Sequence, residues 1–202
     1  MDLPTLTIPE NIDEQINSAN VYRSYSKSAG IPERFLDAKF SNTSNRISDK
    51  VRSFAEVGKG VMVIFGDNGT GKTRTGCCAI NHRIDIGLTG GEYISCNYQV
   101  CPMIRTSRSF KAEKNEMELL NYYYTIPFLV IDEAGKGDDS MISKAFLTSV
   151  LSARYANGLP TLIITNMTKT EFEAFVGKDI TSRLSETGMY VVLNDTNFRE
   201  AK

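Results

Sequence analysis

One short segment restricts the fold of this chain more than any other. Residues 61–65 are all apolar, and a glycine-rich octapeptide with the pattern G-x-x-x-x-G-K-[ST] follows them directly. The octapeptide consists of Gly66, Asp67, Asn68, Gly69, Thr70, Gly71, Lys72 and Thr73. A continuous apolar run of this length favours a parallel strand that is covered on both faces. The segment therefore predicts a strand, a tight loop and a helix, which is the context of a phosphate-binding loop.

The residue types of the octapeptide suit a nucleotide phosphate. Glycine has no Cβ, so the backbone can fold around the β-phosphate and point its amides at the anion. Lys72 supplies a positive charge for the β- and γ-phosphates, and Thr73 supplies a hydroxyl for Mg²⁺. A simple glycine turn would not require Lys and Thr after the last glycine. We therefore predict that this loop binds ATP with Mg²⁺.

Strand-like and helix-like segments alternate along the rest of the chain. Four further segments have strand character, and they cover residues 92–96, 126–131, 161–165 and 189–193. Segments with a helical apolar period precede and separate them, for example Ile47, Val51 and Phe54 before the first strand. Alternation of this kind predicts a parallel sheet with helices on both faces. The expected fold is a three-layer α/β structure with a five-stranded parallel sheet.

Two acidic residues come directly after the predicted strand that ends at Ile131. Asp132 and Glu133 follow the apolar residues 128–131 directly, and ligands of open α/β sheets bind at the carboxyl ends of the strands. We expect Asp132 to hold Mg²⁺ and Glu133 to orient and deprotonate an attacking water. The adjacent glutamate favours water as the acceptor, and hence hydrolysis, over transfer to a small molecule.

Asn166 follows the predicted strand 161–165 at the same edge of the sheet. Its amide could bind both the γ-phosphate and the nucleophilic water. Asparagine is also common at turns between strands and loops. The phosphate loop and the two acids favour a catalytic role for Asn166.

Composition excludes several classes of protein. The chain has 202 residues, 41% apolar and 23% charged, with a net charge of −1, which argues against nucleic acid binding over the whole surface. No segment approaches the roughly 18 apolar residues of a membrane span, and no signal-peptide pattern opens the chain. The four cysteines form no CxxC motif, which favours reduced, buried thiols in a cytoplasmic protein over a structural zinc site.

Taken in order, these motifs resemble the AAA+ ATPases of the DnaC/IstB group, which are bacterial replicative helicase loaders and transposition helper ATPases. Residues 129–135 are similar to the Walker B motif of that group, and residues 161–167 to its sensor 1 strand. Residues 179–184 resemble its box VII, and residues 194–199 resemble the loader ending that carries sensor 2. The resemblance implies an AAA+ ATPase domain over residues 31–202 with a very reduced C-terminal lid.

The resemblance also implies partners. Arg183 would reach the ATP of a neighbouring subunit in an open ring or spiral, and Arg199 would act as sensor 2. Residues 1–30, with a helix expected over 12–25, would form an arm that docks on a replicative helicase. A surface arginine at position 183 and a frayed N-terminus are the alternatives that the residues leave open.

A basic segment between the second strand and the acids is the candidate for single-stranded DNA. Arg105, Arg108 and Lys111 recur every third residue, which places them along one side of a helix. Tyr98 and Phe110 could stack on bases. The resemblance places an extra helix facing the central pore at this point of the chain. The alternative is a solvated helix face.

The sequence therefore predicts an ATP-dependent, DnaC-like helicase loader that acts in DNA replication. An IstB-like transposition helper that binds duplex DNA would share the same ATPase site. A nucleotide-binding adaptor with little turnover is a further alternative. A small-molecule kinase is disfavoured because Glu133 stands beside Asp132.

Overall fold

The described chain alternates helices with five strands. The computed structural model describes residues 12–43, 45–108, 115–135 and 140–194. The helices are α1 (Ile12–Ser28), α2 (Ser48–Val57), α3 (Lys72–Asp85), α4 (Cys101–Ser107), α5 (Glu116–Thr125), α6 (Ser140–Ala156), α7 (Lys169–Val176) and α8 (Lys178–Thr187). The strands are β1 (Val61–Phe65), β2 (Gly91–Ser95), β3 (Phe128–Asp132), β4 (Thr161–Ile164) and β5 (Met189–Val192).

The five strands form one parallel sheet in the order β2-β3-β4-β1-β5. This arrangement confirms the predicted five-stranded parallel sheet. β4 lies between β1 and β3, so the loop after β1, the acids after β3 and the asparagine after β4 all meet at one edge. In an open parallel sheet this carboxyl edge is where ligands bind.

The sheet separates two apolar clusters, as a three-layer fold requires. Along β1, Met62 and Ile64 belong to the cluster that contains residues of α2 and α3. Val61, Val63 and Phe65 belong to the cluster on the other face, which contains residues of α4 to α8. Because every residue of β1 is buried, the strand has no polar face, which explains its continuous apolar sequence.

A buried asparagine joins the N-terminal helix to the core. Asn81 of α3 accepts a hydrogen bond from the hydroxyl of Ser26 at 2.8 Å. Its amide nitrogen donates to the backbone oxygens of Leu36 and Ala38 at 3.1 and 2.9 Å. The end of α1 and the segment that follows it are therefore held on α3. The division of the chain at residue 30 stays a prediction.

The chain between β2 and β3 contains several separate helical pieces. A π-helix, Cys96–Val100, leads directly into α4, and α5 begins at Glu116 after residues 109–114, which lie outside the described part. The N-terminus of α5 is capped by Asn115, whose side chain accepts from the backbone N–H of Glu118 at 2.9 Å. This capping box marks the beginning of a separate helix.

The cysteines agree with the compositional expectation. All four cysteines are free and buried, as predicted for reduced thiols. Within the described ranges, none of the helices combines the length and the apolar character that a membrane crossing requires.

A fully buried arginine ties α6 to the beginnings of β3 and β4. Arg154 donates through Nε to the hydroxyl of Thr161 at 2.7 Å, and through its terminal nitrogens to the backbone oxygens of Tyr123, Ile126 and Pro160 at 2.6 to 2.9 Å. These acceptors are neutral oxygens, and burial lowers the pKa of Arg154 to about 10. The guanidinium thus supplies hydrogen bonds to buried backbone oxygens of the segments that precede β3 and β4.

We expect Arg154→Met to lower the free energy of unfolding by about 3 kcal/mol or more, because the buried carbonyl groups of Tyr123 and Ile126 lose this donor. Urea denaturation measures the change. The control is Arg52→Met, which removes an exposed cation whose 2.6 Å ion pair with Asp49 contributes less than about 1 kcal/mol. Equal losses in the two variants would contradict the role assigned to Arg154.

Candidate active site

The glycine-rich loop after β1 has the backbone of a phosphate-binding loop. Gly66, Gly69 and Gly71 have φ values of 150°, 83° and 91°, a region that side chains rarely adopt. A Cβ added at Gly66 would lie 2.1 Å from the backbone oxygen of Leu193. Glycine is therefore required at position 66 both by its backbone conformation and by the close approach of the segment after β5.

Lys72 lies under this loop at the first position of α3. Its side-chain nitrogen donates to the backbone oxygens of Gly66 and Asp67 at 2.7 and 2.6 Å, and the residue is only 7% exposed. An anion that enters the loop would therefore meet the positive charge of this side chain.

Asp132 receives three hydrogen bonds at the end of β3. The hydroxyls of Thr73 and Tyr93 donate to its Oδ2 at 2.6 and 2.7 Å, and the backbone N–H of Glu133 donates to its Oδ1 at 2.7 Å. The carboxylate is 3% exposed. The two halves of the predicted site, the loop and the acidic strand end, are thus in direct contact.

Glu133 occupies a strained backbone conformation beside Asp132. Its φ of 56° is the only positive value among the non-glycine residues of the described chain, and this conformation costs about 1 kcal/mol or more. The hydroxyl of Ser95 donates to Glu133 Oε2 at 2.7 Å. Ser95 ends β2 and lies opposite Asp132 in the strand register. The glutamate is therefore held by the neighbouring strand rather than by solvent alone.

Asn166 extends from the end of β4 to the phosphate-binding loop. Its amide nitrogen donates to Asn68 Oδ1 at 3.0 Å. The bond places the asparagine at the entrance of the loop, between Lys72 and the acidic residues along the sheet edge. Its catalytic role stays a prediction.

These residues line one cleft of about 790 Å³, a volume in the range of small-molecule and cofactor sites, about 300–1,000 Å³. The sheet edge supplies one wall, which includes Lys72, Thr73, Asp132, Glu133 and Asn166. The segment between α1 and α2 supplies the opposite wall, which includes Arg34, Phe35, Asn42, Thr43 and Asn45.

A cation that the sequence prediction missed links the two walls. Arg74 follows Thr73 in α3 and donates to Thr43 Oγ1 at 2.6 Å and to Asn42 Oδ1 at 2.8 Å. Together with Arg34 and Lys72, it gives the cleft lining three cationic side chains against two carboxylates. The cleft therefore has a net positive lining, which favours a polyanionic ligand.

The residues present fit Mg²⁺ that enters together with a nucleotide. The Thr73 hydroxyl and the Asp132 carboxylate are hard oxygen donors, and Mg²⁺ usually combines one or two such groups with water and substrate phosphates. Within the described residues, no group of three or more His, Cys, Asp or Glu could hold a metal by itself. The donor set thus suits a metal that is shared with a phosphate ligand.

Arg183 lies outside this cleft, on α8. Its guanidinium carbon is 5.5 Å from the centre of the Tyr155 ring, and the Tyr155 hydroxyl donates to Glu186 Oε2 at 2.6 Å. The arginine is half-buried and is not among the described residues that line the cleft of its own chain.

The predicted DNA-contacting residues are only partly described. Arg105 on α4 and Arg108 at its end are both exposed, and Arg108 forms a two-point ion pair with Glu116 at 2.7 and 2.8 Å. Lys111 lies outside the described residues, as do Phe110, Arg199 and the rest of the predicted lid. Tyr98 is 72% exposed and lines the cleft.

Sequence reasoning missed Tyr93 and Ser95 because their roles depend on which strand lies beside β3. A period of apolar residues predicts that a strand exists but contains no information on its lateral neighbour. Arg74 could have been found, since it directly follows the octapeptide at the beginning of α3.

Comparisons with known proteins support the fold. No protein-family model matches the sequence, and no curated protein matches it. The crystal structure of the DnaC helicase loader is similar over 81% of this chain and 100% of its own, with a TM-score of 0.64 and 17% identity. The crystal structure of DnaI is similar over 86% and 99%, with a TM-score of 0.64 and 18% identity.

A third similar structure is the replication initiator DnaA bound to AMPPCP and single-stranded DNA. It is similar over 84% of this chain and 53% of its own, with a TM-score of 0.63 and 18% identity. The chain thus spans about half the length of this structure and of the structure of a DNA replication initiation factor that it also matches. These likenesses confirm the predicted three-layer α/β fold with a parallel sheet, which the chain shares with the helicase loader structures.

Proposed function

We propose that this chain is a helicase-loader-like ATPase of the DnaC/IstB group that binds ATP with Mg²⁺ and acts in DNA replication. The observation that carries the proposal is the contact between Thr73 of the phosphate-binding loop and Asp132 of β3, with Lys72 and Glu133 in the same cleft. The likeness to DnaC, and to DnaA bound to AMPPCP, supports a nucleotide as the ligand.

The arrangement suits hydrolysis of the terminal phosphate. Mg²⁺, held through Thr73 and Asp132, would neutralise phosphate charge and orient the β- and γ-phosphates. Lys72 binds the same phosphates. Glu133 accepts a proton from water as the water oxygen attacks the γ-phosphorus, and the bond to the bridging oxygen breaks to release ADP and phosphate.

The hydrogen bond from Ser95 supports slow turnover by the free protein in this proposal. It takes up one acceptor site of Glu133 Oε2 and ties the carboxylate to β2. Turning this oxygen toward an attacking water therefore means breaking the bond. This contact is also the observation that favours the second candidate, a nucleotide-binding adaptor with little turnover.

Two substitutions separate binding from hydrolysis. We expect Lys72→Ala to abolish binding of a fluorescent ATP analogue, because the loop loses its cation. Glu133→Gln should keep that binding and lower phosphate release by about 10²–10⁴-fold, because the amide cannot accept the proton. Lys50→Ala, an exposed lysine on α2, is the control. Normal ATP binding by Lys72→Ala would contradict the proposed site, and normal turnover by Glu133→Gln would remove the assigned base.

We also propose that the chain assembles into an open ring or spiral in which Arg183 acts on the ATP of a neighbouring subunit. Its place outside the cleft of its own chain supports action in trans. An arginine finger contributes about 10³–10⁵-fold to the rate by stabilising charge in the transition state. Turnover would then depend on protein concentration.

Mixing two inactive variants tests this arrangement. Arg183→Ala should bind ATP normally and fail to hydrolyse it. Mixing it with Lys72→Ala, which keeps its arginine, should restore phosphate release because one variant supplies the site and the other supplies the finger. In the control mixture, a variant with both substitutions replaces the Lys72→Ala protein, and phosphate release should not be restored. Full turnover by dilute, monomeric Arg183→Ala would exclude a shared site.

Single-stranded DNA is the proposed ligand of the basic segment formed by Arg105, Arg108 and Lys111. The exposure of the two described arginines supports the assignment, as does the likeness to an initiator solved with single-stranded DNA. The ion pair between Arg108 and Glu116 means that a phosphate must compete with a carboxylate for this arginine. Binding should therefore be weak in the isolated subunit.

The salt dependence of DNA binding tests the segment. On single strands, each phosphate contact contributes about −0.7 to the slope of log binding constant against log salt concentration. Three contacts therefore predict a slope of roughly −2 per subunit. Replacing the three residues with alanine should flatten the slope, whereas Glu116→Gln should raise affinity by releasing Arg108. Arg52→Ala is the control for loss of an exposed cation. An unchanged slope would remove the assignment, and preference for duplex DNA would favour a transposition helper.

We further propose that residues 1–30 engage a replicative helicase and that the protein acts in the cytoplasm. The end of α1 is fixed to α3 through Ser26 and Asn81, which gives the arm a rigid base on the ATPase domain. The free, buried thiols agree with a reducing compartment.

A further inference from the structure

Tyr93 contacts the candidate metal site from below the cleft. It lies on β2, is 4% exposed, and its hydroxyl donates to Asp132 Oδ2 at 2.7 Å. Asp132 is one of the residues that line the cleft, and in the described structure Tyr93 is not. The tyrosine can therefore act on a bound ligand only through the aspartate.

The three hydrogen bonds to Asp132 differ in how well they can fix the position of its carboxylate. The bond from Glu133 comes from the adjacent backbone, and the bond from Thr73 comes from a hydroxyl that would itself bind Mg²⁺. The bond from Tyr93 comes from a group with no other part in the site. It is thus the donor that can hold Oδ2 in place while the Thr73 oxygen turns toward a cation.

The backbone of Tyr93 is held on both sides. On one side, Tyr93 is paired with Val130 in the register of β2 and β3. On the other side, its backbone N–H donates to the backbone oxygen of Ala29 at 2.8 Å. Since the ring is buried, the hydroxyl has a fixed position relative to the sheet. A rigid donor of this kind restricts the carboxylate to one orientation.

The direction of this hydrogen bond follows from the chemistry of the two groups. A phenol hydroxyl has one proton, and the hydroxyl of Tyr93 directs it to the Asp132 carboxylate, which can only accept.

We propose that Tyr93 is a positioning residue for the divalent cation, in that its hydroxyl holds the Asp132 carboxylate in the orientation that Mg²⁺ requires. The inference rests on the proposed function, since it concerns the metal that accompanies the nucleotide. According to this proposal, β2 contributes to metal binding through the Tyr93 hydroxyl, in addition to the residues of the loop and of the end of β3.

The test compares Tyr93→Phe with Tyr123→Phe. Tyr123 is also 4% exposed but lies on α5, in the apolar cluster on the other face of the sheet, so the two variants lose the same group from equally buried positions. Both keep the aromatic ring and hence the packing. For each protein, the affinity for a fluorescent ATP analogue is measured in EDTA and with excess Mg²⁺, and the unfolding free energy is measured without nucleotide.

We expect Tyr93→Phe to bind the analogue in EDTA as the unsubstituted protein does, and to lose about tenfold or more of the affinity gained on adding Mg²⁺. Tyr123→Phe should keep the whole gain. A Tyr93→Phe protein with the full Mg²⁺ gain would overturn the inference, even if its stability were reduced, and would leave the proposed function intact. Failure of the unsubstituted protein to gain affinity with Mg²⁺ would overturn the metal site itself.

Discussion

The hydrogen bond between Thr73 and Asp132 is the contact on which the candidate site depends. It joins the first turn of α3, the helix that follows β1, to the end of β3. β1 and β3 are not neighbours in the sheet, since β4 lies between them. This spacing leaves room for a ligand above β4 and brings Asn166 to the same place. The phosphate-binding loop, the acidic residues and the asparagine therefore become one site only because the parallel sheet has this strand order.

Much of the fold and the centre of the site could be predicted because the relevant signals are local. The five apolar residues of β1 are buried on both faces, and the glycines that follow adopt backbone conformations that other residues rarely reach. Lys72 and Thr73 occupy the positions that the spacing of the loop dictates. Asp132 and Glu133 could be placed because the carboxyl ends of parallel strands share one edge.

The residues that could not be predicted act across the fold. Tyr93 and Ser95 reach Asp132 and Glu133 only because β2 pairs with β3, and the apolar period of a strand does not encode its neighbour. Arg154 has the sequence context of a basic residue near the end of an amphipathic helix, yet it is fully buried among backbone oxygens. Arg108 forms its ion pair with Glu116, eight residues further along the chain. The sequence pattern contains no signal that these two side chains lie close together.

Asn81 connects the N-terminal helix to one wall of the candidate cleft. Its side chain holds the hydroxyl of Ser26 on one side and the backbone just after Phe35, a residue of the cleft wall, on the other. A displacement of the first helix would reach this wall through the amide, and also through the ion pairs of Arg23 with Glu33 and Asp37. A molecule bound to the helix would accordingly act on the shape of the cleft.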